Sequence, residues 1–159
     1  MRTFKAEQLT FTTLDRIPVG AIARLAAVRN DVSLFLRCAD NQAGRPNLIF
    51  LGGSKSLEWY DWQPDALAMT LIEPGDVRFE LGERDFELSH SHFGVMGITA
   101  AGAYVASRSS LRHVPKLFDV SNWTERAAHS LGNEFALYPH WQIGTLDVQG
   151  NFVRAEELP

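Results

Sequence analysis

The sequence predicts a mainly β, single-domain antiparallel fold, a sandwich or jelly roll or a small barrel, with one short helix near the C-terminus. Three observations carry this. Between Leu67 and Phe93, apolar and polar side chains alternate with a period of two, the mark of a strand with one buried face. Turn-forming residues recur at roughly the eight-to-twelve-residue spacing of sandwiches and barrels. Aromatic residues are 11% of the chain, and such rings pack well on a pleated sheet.

Taken in order, Leu9 to Leu14 has strand character until Arg16-Ile17-Pro18-Val19-Gly20 interrupts it. Ile22 to Val28 and Val32 to Ala39 form a hairpin around Arg29-Asn30-Asp31. In its second arm Val32, Leu34, Leu36 and Cys38 share a face, and Ser33, Phe35 and Arg37 share the other. Asp40 to Pro46 is a loop. Asn47 to Leu51 and Leu57 to Trp62 form a second hairpin around Gly52-Gly53-Ser54-Lys55. Gln63-Pro64-Asp65 leads into a three-strand meander, with Ala68, Thr70 and Ile72 on one face of its first strand. Val77, Phe79 and Leu81 mark the second strand, after Glu73-Pro74-Gly75-Asp76. Phe86, Leu88, His90 and His92 mark the third, after Gly82-Glu83-Arg84-Asp85.

Gly94 to Ser107 reads as two short strands, because its glycines weaken a helix. The predicted helix spans Trp123 to Leu131. Asn122 is its N-cap, Glu125 completes a capping-box spacing, and Gly132-Asn133 is its stop. Trp123, Ala127, Ala128 and Leu131 make its apolar stripe. Tyr138, Pro139, His140 and Trp141 are expected to pack that helix on the sheet. Gln142 to Val148 and Phe152 to Arg154 close the chain as a hairpin around Gln149-Gly150-Asn151. Residues 155–159 are expected to be a loose acidic tail.

One domain is the natural organisation for 159 residues. A net charge of −4 and the lack of any Lys/Arg run disfavour nucleic acid as a partner. No basic amphipathic stretch and no long apolar run points to a membrane. Cys38 is the single cysteine, so no internal disulfide forms. With no apolar leader at the N-terminus, a cytoplasmic home is expected.

Few residue patterns suggest chemistry. His90 and His92, two apart on a strand, point the same way and could hold one divalent transition metal. The spacing resembles the His-x-His pair of cupin-type barrels. Phe93-Gly94-Val95-Met96-Gly97 follows, however, without the acidic residue of that pattern. A third ligand would have to come from His113, His129, His140 or a carboxylate. Two solvated histidines near a strand end are the plainer reading, with no cofactor.

Glu58-Trp59-Tyr60-Asp61-Trp62 places a ring beside a carboxylate on both strand faces. Trp59, Tyr60, Asp61 and Trp62 are therefore the candidate ligand-binding residues, for a sugar or another small molecule. A core or subunit-interface role is the competing assignment. Gly52-Gly53-Ser54-Lys55-Ser56 resembles a phosphate loop only in fragment, since no helix follows. Cys38 reads as a small core residue. No Gly-x-Ser-x-Gly elbow is present. The function expected from these residues is a binding or assembly module that self-associates and is not an enzyme. A metal-binding or ligand-binding barrel at His90 and His92, with possible enzymatic activity, is the alternative.

Overall fold

Alternation is weakest where strands are most buried. Leu34-Phe35-Leu36 and Leu48-Ile49-Phe50 are continuous apolar triplets, and both lie in strands covered on two sides. The computed structural model describes residues 10–26, 33–53, 56–84, 94–100, 102–108, 115–126 and 136–158.

The largest sheet has six strands. In chain order they are β1 (Thr12–Thr13), β2 (Ile22–Leu25), β3 (Leu34–Asp40), β4 (Pro46–Phe50), β5 (Trp59–Asp61) and β6 (Leu67–Ile72). Their spatial order is β1-β6-β2-β3-β4-β5. A small sheet joins β7 (Arg78–Leu81), β13 (Trp141–Leu146) and β14 (Phe152–Arg154), with β13 central. The middle sheet holds β8 (Met96–Thr99), β9 (Gly102–Arg108), β10 (Pro115–Asp119), β11 (Glu125–Arg126) and β12 (Ala136–Tyr138), ordered β11-β10-β9-β8-β12. Every pairing is antiparallel. Among the described residues no barrel closes, so the sandwich-like reading holds and the barrel does not.

Two cores flank the large sheet. On one face Leu36, Cys38, Ile49 and Trp59 meet Met96, Val105 and Phe118 of the middle sheet and Ile143 of the small sheet. On the other face Phe35, Leu48 and Phe50 pack with Leu14 and Ile17. The segment bearing Leu14 and Ile17 crosses that face. The Leu14 amide donates to the Ala66 carbonyl at one end, and the Gly20 amide donates to the Arg37 carbonyl at the other, each at 2.7 Å. Each fully buried Leu or Phe is worth roughly 1.5–3 kcal/mol, which explains why the central strands carry apolar residues on both sides.

Several expectations change. The meander does not form: β6 pairs with β1 and β2, whereas β7 pairs with β13. The 3-10 turn at Pro74–Asp76 therefore passes the chain between sheets instead of folding it into a hairpin. The third meander strand, Phe86 to His92, lies outside the described residues. Ala68 and Ile72 were expected on one face, yet they sit in opposite cores. A register shift places Thr70 opposite Ala23 and Ile72 opposite Ile22, so Leu71 is an extra residue that flips the alternation.

The predicted helix does not start at Trp123. That residue has φ of 57°, and Glu125–Arg126 pairs with β10 as a strand. Left-handed backbone ends helical geometry, and here it turns the indole into the first core beside Phe79. Residues 127–131 lie outside the described set. Tyr138 and Trp141 pack on the first core, and the Trp141 indole donates to the Gly94 carbonyl at 2.7 Å. The C-terminal stretch 155–158 is not loose. Ala155 is buried, Leu158 packs on the first core, and Arg24 donates to the Leu158 carbonyl. Alternation alone cannot reveal this, because the anchoring residues lie beyond the last strand.

The other elements follow the sequence closely. Gly94 to Ser107 is sheet, with β8 and β9 paired across a turn. The phosphate-loop fragment is a connection between β4 and β5, where the Leu57 amide donates to the Phe50 carbonyl. Residues 54 and 55 of it lie outside the described set. Among the described residues no helix is long and apolar enough to cross a membrane.

Candidate functional sites

The aromatic strand β5 separates its residues as alternation demands. Trp59 is only 2% exposed and belongs to the first core. The Lys116 ammonium sits over its ring, 3.7 Å from the centroid, which seals the indole from the outside. Tyr60 and Trp62 are half-buried on the opposite face, each edge-on to Phe50 at centroid distances of 5.4 and 5.8 Å. The Tyr60 hydroxyl donates to Glu58 at 3.0 Å. Asp61 returns to the Trp59 side and accepts a 3.4 Å bond from the Asn41 amide. The four candidates therefore do not make one platform: Tyr60 and Trp62 stay together, while Trp59 is a core side chain. His90, His92, His113 and His129 lie outside the described residues. His140 is exposed on the link between β12 and β13. Among the described residues no cluster of three metal-ligating side chains occurs.

A polar cleft of about 570 Å³ opens between the β3–β4 loop and the β10–β11 hairpin. Asp40, Asn41 and Gln42 line one wall, and Lys116, Glu125 and Arg126 line the other. Two devices fix the walls relative to each other. The Ala39 amide donates to the Trp123 carbonyl at 3.0 Å, joining β3 to the hairpin. Arg37, buried behind the loop, donates to the Cys38 carbonyl and pairs with Asp40 at 2.6 Å.

Two ion pairs brace the β10–β11 hairpin, one on each of its faces. Lys116 meets Glu125 at 2.6 Å, and Arg126 meets Asp119 at 3.3 Å while lying over the Tyr104 ring. Burial works against the Asp119 carboxylate. The Ser121 hydroxyl and amide and the Arg126 guanidinium outweigh it, leaving its pKa below the usual value. This cleft is not readable from the sequence, because its walls are about 75 residues apart (Asp40 against Lys116) and neither carries a motif.

A second cleft, also about 570 Å³, lies between β6 and the β13–β14 hairpin. Leu71, Ile72, Leu146, Val148 and Leu158 supply its apolar lining, and Glu73, Asp76 and Arg78 supply charge. At the hairpin tip Val148 is fully exposed, and neighbouring Leu146 is 47% exposed. Asp147 builds this tip. Its carboxylate accepts from the Gln149 and Asn151 amides, both at 2.9 Å, and Gly150 takes φ of 82°. An apolar residue in a tight turn was the available signal for this site.

The amide of Asn151 acts most strongly on the Asp147 carboxyl, and with the further donors at Gln149, Asn151 and Gly150 it outweighs desolvation and holds the pKa below its usual value. A depressed carboxyl stabilises the fold above its unfolded pKa, and that contribution disappears as pH falls through the folded value. The tip should therefore loosen below about pH 4. Hydrogen exchange at the Gln149 and Asn151 amides would report it; protection unchanged down to pH 2 contradicts the assignment.

Cys38 is fully buried. Burial pushes its thiol pKa far up, against weaker pulls from Arg37 and Lys116, so it is an inert core group. Compared with known proteins, the chain matches no family model, no curated protein and no solved structure.

Proposed function

We propose that the protein is a binding or assembly module that acts by self-association, through the face bearing the β13–β14 hairpin. The carrying observation is Val148, a fully exposed apolar side chain held out by a turn that Asp147 orders. Among the described residues it stays fully exposed, at the rim of the cleft it helps to line. Directly beside it lies the cleft lined by Leu71, Ile72 and Leu158. A knob and a hole on one surface suit an isologous pair, in which each copy's tip enters the other's cleft about a two-fold axis. The surrounding charges, Arg78 with Glu73 and Asp76, include both signs, so two copies can meet without like-charge facing like-charge. Among the described residues β7 is an outer strand of its sheet and Leu81 on it is exposed, which suits a surface that a partner covers. The buried lone Cys38 is compatible with a reducing compartment.

Light scattering on a sizing column tests this. The parent chain should run as a dimer at micromolar concentration. Val148→Asp should weaken association by at least about tenfold, roughly 1.4 kcal/mol, with an unchanged circular dichroism spectrum. A parent chain that stays monomeric at every concentration removes the proposal.

A further inference from the structure

The cleft beside the β13–β14 hairpin holds three charged side chains whose role an apolar contact through Val148 leaves open. Arg78 on β7 lines it together with Glu73 and Asp76, which flank the Pro74-Gly75 turn. The Arg78 head is fixed by its own chain. Its Nη1 donates to the Gly75 carbonyl at 2.7 Å and to the Val77 carbonyl at 3.0 Å. Its Nε and Nη2 meet no acceptor among the described residues, and that edge of a guanidinium is a two-pronged donor that fits one carboxylate. Its strand partner on β13 is Gly144, which has no side chain to cover it. Arg154, on the far side of Gly144, is already paired with Glu157. The exposed Glu73 and Asp76 carboxylates form no ion pair among the described residues. The Asp147 carboxylate is occupied by its own turn. One cation and two anions thus share a cleft, and each lacks an opposite charge within the described chain.

We propose that Arg78 is the residue that sets the register between two copies of this chain: the open edge of each Arg78 takes a carboxylate from the Glu73–Asp76 turn of the other copy. The pairing rests on the self-association reading above and supplies its polar contact. Symmetry favours a second copy over an unrelated partner. About a two-fold axis, a residue that meets a second residue is matched by the reverse contact. A surface with a free cation beside free anions therefore offers itself both halves of the contact, twice per dimer. An acidic partner would satisfy Arg78 and repel Glu73 and Asp76, and a basic partner would do the opposite. Like charges set against each other across an interface are strongly unfavourable, so the same three residues reject a displaced register. A single exposed ion pair adds little affinity. The two carbonyl bonds already hold the Arg78 head, so less freedom is lost when the contact forms. Val148 supplies the apolar contact, and Arg78 supplies the orientation.

Sedimentation equilibrium on the full chain and two complementary variants tests this. Arg78→Glu sets acid against acid, and the double variant Glu73→Arg with Asp76→Arg sets base against base. Each alone should self-associate at least about tenfold more weakly than the parent, because a two-fold interface feels every substitution twice. An equimolar mixture of the two should recover to within about threefold of the parent, since each altered contact again joins opposite charges. Should Arg78→Glu lose its fold by circular dichroism, Arg78→Gln keeps a donor for the Gly75 carbonyl and removes the charge. That variant should associate more weakly than the parent and respond less to added salt. A parent that stays monomeric removes the self-association reading and the Arg78 contact with it. A parent that dimerises while the folded Arg78 variant dimerises equally well overturns the Arg78 contact alone. Variants that weaken but do not recover on mixing overturn it too.

Discussion

Replacing Trp59 by alanine is expected to cost about 3–5 kcal/mol of folding stability, the range for deleting a buried aromatic ring. The indole sits where all three sheets meet the first core, with Ile49 opposite it on β4. Its loss opens a cavity that the close-packed strands around it cannot collapse to fill. It also strips the ring from under Lys116, worth roughly 0.5–2 kcal/mol more. Such a loss is a large share of the ~5–15 kcal/mol that a domain possesses. Trp62, half-buried at the edge of the second core, should lose clearly less when truncated. Urea unfolding of both variants decides between core and platform. If Trp59→Ala unfolds at the parent midpoint, the indole is not the core residue described above.

The second large effect is at Gly144, and its cause is space. A Cβ there would lie 1.9 Å from the Val153 carbonyl oxygen and 3.0 Å from the Arg154 Cα. Both are backbone atoms of β14, which pairs with β13 at this point. No side-chain rotation relieves the clash, so Gly144→Ala should push β14 off β13 and cost about 1–3 kcal/mol or more. It should also displace the Val148 tip and abolish self-association. Gly75→Ala is the matched control, since nothing lies within 4 Å of its added methyl. That variant should stay within about 0.5 kcal/mol of the parent. Equal stability of the two variants, read by thermal melting, contradicts the packing account of the hairpin.

Strand existence was legible in the sequence and strand partnership was not. Period-two alternation located β6 and β7, and turn residues on either side bracketed β3, β4, β13 and β14. It could not report that β6 and β7 belong to different sheets, since a Pro-Gly-Asp turn looks the same in a hairpin and in a crossing. One extra residue at Leu71 was enough to send Ile72 to the other core. The helix expectation failed at a single dihedral. Asn122 and Glu125 have capping spacing, but Trp123 takes the left-handed turn that lets its ring reach Gly20 and Phe79.

Site residues fared differently according to how local their signal was. The alternation in β5 separated Trp59 from Tyr60 and Trp62 correctly. Which of those faces would be sealed depended on Lys116, a residue 57 positions away in sequence. The polar cleft is similarly non-local, assembled from two hairpins that share no motif. Val148 was readable in principle, as a valine where a turn wants a polar residue.

The most direct test of self-association through the hairpin face is an isotope-filtered NOE experiment on a mixture of labelled and unlabelled protein. The account predicts intermolecular NOEs from the Val148 methyl groups to Leu71 of the second copy. Val148 methyl groups that show only intramolecular NOEs, in a sample that sediments as a monomer, would contradict it.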